Sequence, residues 1–278
     1  MSLLWPEQVS ILLSPRRLVA TRSSGGWRPA FVGTDTLAIE PPATGEAPWH
    51  PVVASLRTYM AQLDGARRSA KFRIVLSDHF CRYALIPWSD ALGSANEELM
   101  LAKHCFKSVY GQGAEEWSVR IALGAAGSAR LASAVDPVML TELDGIMNPF
   151  GRRFDSLQPH FVMCFNHWRA RLPKEGSWLI TVDEGALCVA RIRQGEWVSV
   201  NTMSVGATWR GQLPSIIERE EALSESGEDS ALVLVLAGDG LATPWPDSDR
   251  WRFQELSPTP FHEAAPTSSD ALLAAAGA

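Results

Sequence analysis

The stretch Trp178–Val205, WLITVDEGALCVARIRQGEWVSVNTMSV, decides how the rest of the chain is read. It divides into three short strands. Leu179–Val182 is apolar and rich in β-branched residues, Leu187–Arg193 and Trp197–Met203 alternate apolar with polar side chains, and turn residues separate all three. The separators differ in kind. Gln194-Gly195 supplies the flexible backbone of a hairpin tip, whereas Asp183-Glu184-Gly185 sets an acid and a glycine directly after a buried-looking strand. A glycine leaves neighbouring backbone N–H groups uncovered by a Cβ, so a phosphate or a metal-bound phosphate could approach this second turn.

The same pattern occurs near the start of the chain, in Val9–Ile39, VSILLSPRRLVATRSSGGWRPAFVGTDTLAI. Setting Leu187-Cys188-Val189-Ala190-Arg191 beneath Leu18-Val19-Ala20-Thr21-Arg22 brings Trp197 close to Trp27 with one gap, and Asp183-Glu184-Gly185 falls under Ser14-Pro15-Arg16. Two copies of one meander are expected, and an internal duplication constrains a fold more than any single motif. Two unrelated hairpins are the alternative.

Composition narrows the function classes. With 278 residues, 46% of them hydrophobic and 20% charged, the chain is long enough for two lobes and ordinary for a globular protein. A net charge of −6 without any long basic run argues against a nucleic-acid binder. Met1–Pro6 has neither the basic start nor the apolar stretch of a signal peptide, and no apolar run approaches membrane-spanning length. The four cysteines lie scattered in apolar segments without a CxxC, as expected of buried thiols in a reducing cytoplasm.

Further along the chain, Val52–Leu63 carries an amphipathic helical pattern. Phe72–Leu76 and Phe80–Ile86 read as a strand pair around Ser77-Asp78-His79, stopped by Pro87-Trp88. A helix is expected over Asp90–Tyr110, strands over Trp117–Leu123 and Ala129–Ala134, and helices from Pro137 and from Pro159. Trp209, Leu213, Ile216, Ile217 and Leu223 mark a helix starting near Pro214, and Ala231–Leu236 is an apolar strand ended by Gly238-Asp239-Gly240. Trp251–Leu256 reads as an edge strand. From Ser257 onward the chain has too little bulky apolar surface to fold alone, and a flexible tail is expected over 257–278.

A meander, a helix, a strand and another helix, used twice, resembles the actin-like, ribonuclease H-like fold of sugar kinases and DnaK-type chaperones. That resemblance implies an α/β protein of two lobes, each a mixed sheet covered by helices, here 1–156 and 157–256. Phe72–Gly111, FRIVLSDHFCRYALIPWSDALGSANEELMLAKHCFKSVYG, is more specific. It resembles the segment of type II secretion L-proteins and type IV pilus M-proteins in which a strand pair ends in Leu-Pro and a helix with an acidic pair follows, here Ile86-Pro87 and Glu97-Glu98. Phe154–Arg169, FDSLQPHFVMCFNHWR, is similar to their crossover into the second lobe. The resemblance spans Phe72–Val205, and without a transmembrane helix the chain stands closer to the M-proteins.

In that fold ATP is held by two glycine-bearing turns on facing lobes, with acids holding Mg²⁺. The resemblance makes Asp183, Glu184 and Gly185, with Gly238 and Gly240 where adenosine would be met, the candidate nucleotide contacts. The plain reading of each is a chain reversal after a buried strand. The first turn departs from the pattern, because Ser14-Pro15-Arg16-Arg17 has no glycine and its proline no N–H. The resemblance therefore implies a non-catalytic cytoplasmic scaffold of a pilus or secretion assembly, with no cofactor, peripheral at the inner membrane through a membrane-anchored partner. The alternative is an ATP–Mg-dependent protein or small-molecule kinase, and a homo-oligomer is compatible with either.

Phe80, Pro87 and Trp88 are the candidate partner contacts, since a loop tryptophan beside a strand edge could cap a groove holding a short peptide. The chain's own loop Glu40–Pro51 could instead cover that edge. Ser77-Asp78-His79 is a poor catalytic triad, because adjacent strand residues point to opposite faces. Cys164 and His167, three apart on a helix, lack the second pair that structural zinc requires.

Overall fold

The computed structural model describes residues 6–25, 30–63, 70–224, 231–237 and 244–256. Gly238, Gly240, Trp27 and the tail 257–278 lie outside the described residues.

The chain groups into two compact units, each discontinuous in sequence. Residues 1–80 and 137–164 belong to the first, and 81–136 and 165–256 to the second. In the first unit β1 (Gln8–Leu13), β2 (Arg17–Ser23) and β3 (Phe31–Ala38) form an antiparallel meander. β4 (Lys71–Leu76) then joins parallel to β1, and β8 (Ser156–Pro159) parallel to β4, giving the order β3-β2-β1-β4-β8. The expected lobe boundary between 156 and 157 thus falls within β8. β1 and β4 are central, and their runs Ile11–Leu13 and Ile74–Leu76 are apolar and buried on both faces. Helix α1 (His50–Gln62) buries Val52, Leu56, Tyr59 and Met60, and α3 (Pro137–Met147), which packs beside it, buries Met139, Leu143, Ile146 and Met147.

The second unit repeats the scheme. β9 (Ser177–Asp183), β10 (Ala186–Arg193) and β11 (Glu196–Ser204) form the meander, β12 (Leu232–Ala237) joins parallel to β9, and β13 (Arg252–Glu255) parallel to β12. The order β11-β10-β9-β12-β13 reproduces that of the first sheet strand for strand. Helix α5 (Trp209–Leu223) lays Trp209, Leu213, Ile216 and Ile217 on Trp178, Ile180, Val182, Leu187 and Val189 of the sheet.

This helix begins five residues before Pro214, not at it. Proline at that position forfeits the hydrogen bond to the Arg210 carbonyl, which costs about 3 kcal/mol in a helix interior. Burial of Trp209 and Leu213 offsets that cost: both are almost fully enclosed, and the Arg210 guanidinium lies over the Trp209 and Trp245 rings, 5.1 and 4.3 Å from their centroids.

The same unit carries a three-stranded antiparallel sheet of order β5-β7-β6, from β5 (Cys81–Ile86), β6 (Ser118–Ile121) and β7 (Arg130–Val135). Helix α2 (Ala95–Tyr110) covers it through Ala102 and Phe106. The expected pairing of Phe72–Leu76 with Phe80–Ile86 is not formed. β4 is held between β1 and β8, and β5 pairs with β7, so Ser77–Phe80 connects two sheets instead of closing a hairpin. Finally, α4 (His160–Trp168) follows β8 directly, as the proline at 159 foreshadows.

Candidate functional site

The two meanders place their first turns in register. Leu18 lies opposite Leu13 in β1–β2, and Leu187 opposite Val182 in β9–β10, so Ser14-Pro15-Arg16-Arg17 and Asp183-Glu184-Gly185-Ala186 are equivalent. One backbone bond confirms the match: Ile39 N donates to the Arg16 carbonyl at 2.8 Å, and Val205 N donates to the Gly185 carbonyl at the same distance.

Their turn chemistry is opposite. Glu184 and Gly185 have φ of 49° and 87°, which makes a type I′ hairpin, the turn whose twist matches the strands it joins. A Cβ on Gly185 would stand 3.0 Å from the Val205 carbonyl oxygen, so the glycine is required by space as well as by φ. Asp183, ending β9, is 1% exposed. In the first unit Pro15 holds its own φ near −65° and Arg16 has no positive φ. The Ser14 N–H is spent on the Arg17 carbonyl at 2.9 Å. This turn can offer phosphate the arginine side chains but not an uncovered run of backbone donors.

The buried acid of the first unit stands elsewhere. Asp78, just past β4 and 2% exposed, accepts a hydrogen bond from Phe161 N at 3.1 Å in the first turn of α4, and its other oxygen lies 3.5 Å from His160 Nδ1. His160 Nε2 is 3.5 Å from Cys164 Sγ, one helical turn on. Burial alone would lower the His160 pKa, but the Cys164 sulfur and the Asp78 carboxylate outweigh it and hold the imidazole well above its ordinary range. Asp78, His160 and Cys164 have the residue types of a nucleophilic triad, yet all are enclosed, and the chain Asp–His–Cys ties the end of β4 to α4. Sequence reading paired Cys164 with His167; His160, at i−4, is the neighbour on the buried face.

Ser77, Asp78 and His79 do not act together. Ser77 Oγ accepts from His79 N at 3.5 Å, while Asp78 turns to α4. Among the described residues no three His, Cys, Asp or Glu side chains gather where a metal ion could be held.

Around the expected partner contacts, Phe80 is buried, Pro87 is exposed and Trp88 is 36% exposed, with its indole N–H donating to Asp90 Oδ1 at 2.9 Å. β4 has strand neighbours on both edges, whereas β5 is an edge strand of its sheet, hydrogen-bonded to β7 on one side, with β11 packed near it. α2 starts at Ala95 rather than Asp90 because Ser94 and Glu97 form a capping box. The second acid of that pair, Glu98, bonds Arg130 at 2.7 Å, and the Arg130 guanidinium stands 6.0 Å from the centroid of the Trp88 ring. Trp49 is buried, and Trp245 stacks on Phe253 at 5.7 Å, so these two loop tryptophans serve their own core.

No family model and no curated protein matches the chain. Solved structures do. The chain matches a PilM-PilN type IV pilus biogenesis complex with TM-score 0.65 at 13% identity, covering 97% of this chain and 98% of that one. The fold is that of the actin-like ATPases. The actin-like architecture also appears in the cytoplasmic domain of EpsL, an inner-membrane component of the type II secretion system of Vibrio cholerae, with TM-score 0.58, 11% identity and coverage of 97% and 94%. A Bacteroides thetaiotaomicron protein of actin-like ATPase fold and unknown function matches with TM-score 0.54, 10% identity and coverage of 85% and 83%. The duplicated meander is therefore the actin-like one. No helix among the described residues is long and apolar enough to cross a membrane.

Proposed function

We propose that this chain is a non-catalytic docking scaffold of a bacterial type IV pilus or type II secretion-like assembly, working on the cytoplasmic side of the inner membrane. The observation that carries the reading is the proline turn at Ser14–Arg17. Phosphoryl transfer depends on pre-organised donors around the phosphates, and this turn has exchanged them for a ring and two long side chains. The likeness to the PilM-PilN complex and to the EpsL cytoplasmic domain supports the choice of machine.

The partner is a membrane-anchored protein that presents a short segment to the loop Pro87-Trp88 beside α2. That segment docks by side-chain contact, with Trp88 as a rigid anchor. Trp88→Ala is expected to reduce capture of the pilus or secretion partner co-expressed from the neighbouring genes by about tenfold, the loss of one aromatic hot spot, with a nearly unchanged thermal midpoint. Normal capture, or unfolding of the variant, removes Trp88 from the docking surface.

The left-handed Glu184-Gly185 turn beside buried Asp183 favours one second reading, an ATP–Mg-binding protein that uses Asp183, Glu184 and Gly185.

A further inference from the structure

Within the second unit a groove of about 880 Å³ opens between the β6–β7 loop, the segment following α4 and the β10–β11 turn. This size suits a bound ligand or peptide side chains better than solvent alone. Its apolar wall is built from Phe165 and Trp197, whose ring centroids are 4.3 Å apart, and from Leu172. At its rim Leu123, in the β6–β7 loop, is as exposed as a side chain can be, at 102%.

The charges on the groove are unequal. Arg130 is engaged by Glu98, and the carboxylate of Glu196 accepts the Ser128 hydroxyl, a bond that ties the β6–β7 loop to the β10–β11 turn. Arg169 and Lys174 also line the groove, and among the described residues neither forms an ion pair. Two uncommitted cations beside an aromatic wall are a local reversal on a chain of net charge −6.

We infer that this groove docks an acidic peptide segment carrying a bulky apolar side chain, on residues other than Pro87 and Trp88, whose loop the groove adjoins at Arg130. The apolar side chain seats against Phe165, Trp197 and Leu172, and the flanking carboxylates meet Arg169 and Lys174. Charge complementarity sets the sign of the partner and steers its approach. Leu123 sets its class: an exposed leucine on the rim extends the apolar surface beyond the reach of a small anion, and contiguous exposed apolar surface marks protein contacts.

Fluorescence anisotropy on the full chain tests this, using fluorescein-labelled decapeptides with a central Leu-Trp flanked by Asp and Glu, and matched peptides with Lys in place of the acids. The acidic series is expected to bind saturably, more weakly as salt rises, and at least about tenfold more tightly than the Lys series. The double variant Arg169→Glu/Lys174→Glu, both sites being exposed, should keep its circular dichroism and lose about tenfold or more in affinity, and Trp197→Leu should weaken the acidic peptide at every salt concentration. Absence of saturable binding by the acidic series, equal binding of the two series, or wild-type affinity in the double variant would overturn the proposal. So would sedimentation showing that the double variant breaks a self-association of the wild type, because the groove would then hold a second copy of this chain.

Discussion

The turn after β1 and the turn after β9 occupy the same place in two copies of one meander, and they solve it with opposite backbones. Ser14–Arg17 reverses the chain with a proline and two arginines; Asp183–Ala186 does so with positive φ at Glu184 and Gly185. The bond from the third strand back to the turn survives in both, as Ile39 to Arg16 and Val205 to Gly185. A duplicated meander can thus keep its hydrogen-bond frame while its two turns adopt opposite backbones. The buried acids differ in the same way. Asp183 stands at the turn itself, whereas the first unit has Ser14 there and places its buried acid at Asp78, where it caps α4.

The sharpest way to break this comparison is to move one turn's chemistry into the other. Glu184→Pro imposes φ near −65° where the chain needs 49°, and is expected to cost about 3 kcal/mol or more in urea denaturation. Pro15→Ala should stay within about 1 kcal/mol, because it removes only unfolded-state stiffness. Equal costs at the two turns would show that the backbones are not opposed.

Asp78→Ala tests the relocated acid. It strips the Phe161 N–H and His160 of their buried partner, and a loss of about 2–3 kcal/mol is expected. The same cluster gives a pH signature. His160 has its folded pKa raised, so its contribution is complete below the unfolded value of about 6.5 and is lost as pH climbs through the folded value. The urea midpoint should fall as pH rises above about 6.5, and His160→Gln should flatten that fall. A midpoint that rises over this window in the wild type would contradict the assignment.

Gly185→Ala is the smallest of these changes. A Cβ in the left-handed region and close to the Val205 carbonyl is expected to cost about 1–2 kcal/mol, read as a lowered thermal midpoint.

Much of this frame was legible in the residues. The alternation in Leu187–Arg193 and Trp197–Met203, and the superposition of Leu187–Arg191 on Leu18–Arg22, yielded both meanders and their correct register, because period and turn spacing are local signals. Partner choice was not legible. Phe72–Leu76 and Phe80–Ile86 looked like a hairpin because only four residues separate the two elements of the structure, yet each finds its partners far along the chain. α5 starts ahead of Pro214 for the converse reason, since a strong local signal at the proline yields to the burial of Trp209 and Leu213. At the site, the lack of positive φ in the first turn was legible from Pro15 alone. The Asp78–His160–Cys164 chain was not, because Asp78 meets Phe161 across 83 positions of sequence and nothing local marks which face of α4 is enclosed.

The central claim is that one copy of the duplicated turn has lost phosphate binding, leaving a scaffold in place of an enzyme. Isothermal titration calorimetry of the full chain with Mg-ATP tests it most directly. The account predicts no saturable heat at millimolar nucleotide, in the wild type and in Asp183→Ala alike. Saturable binding in the micromolar range that disappears in Asp183→Ala would contradict it.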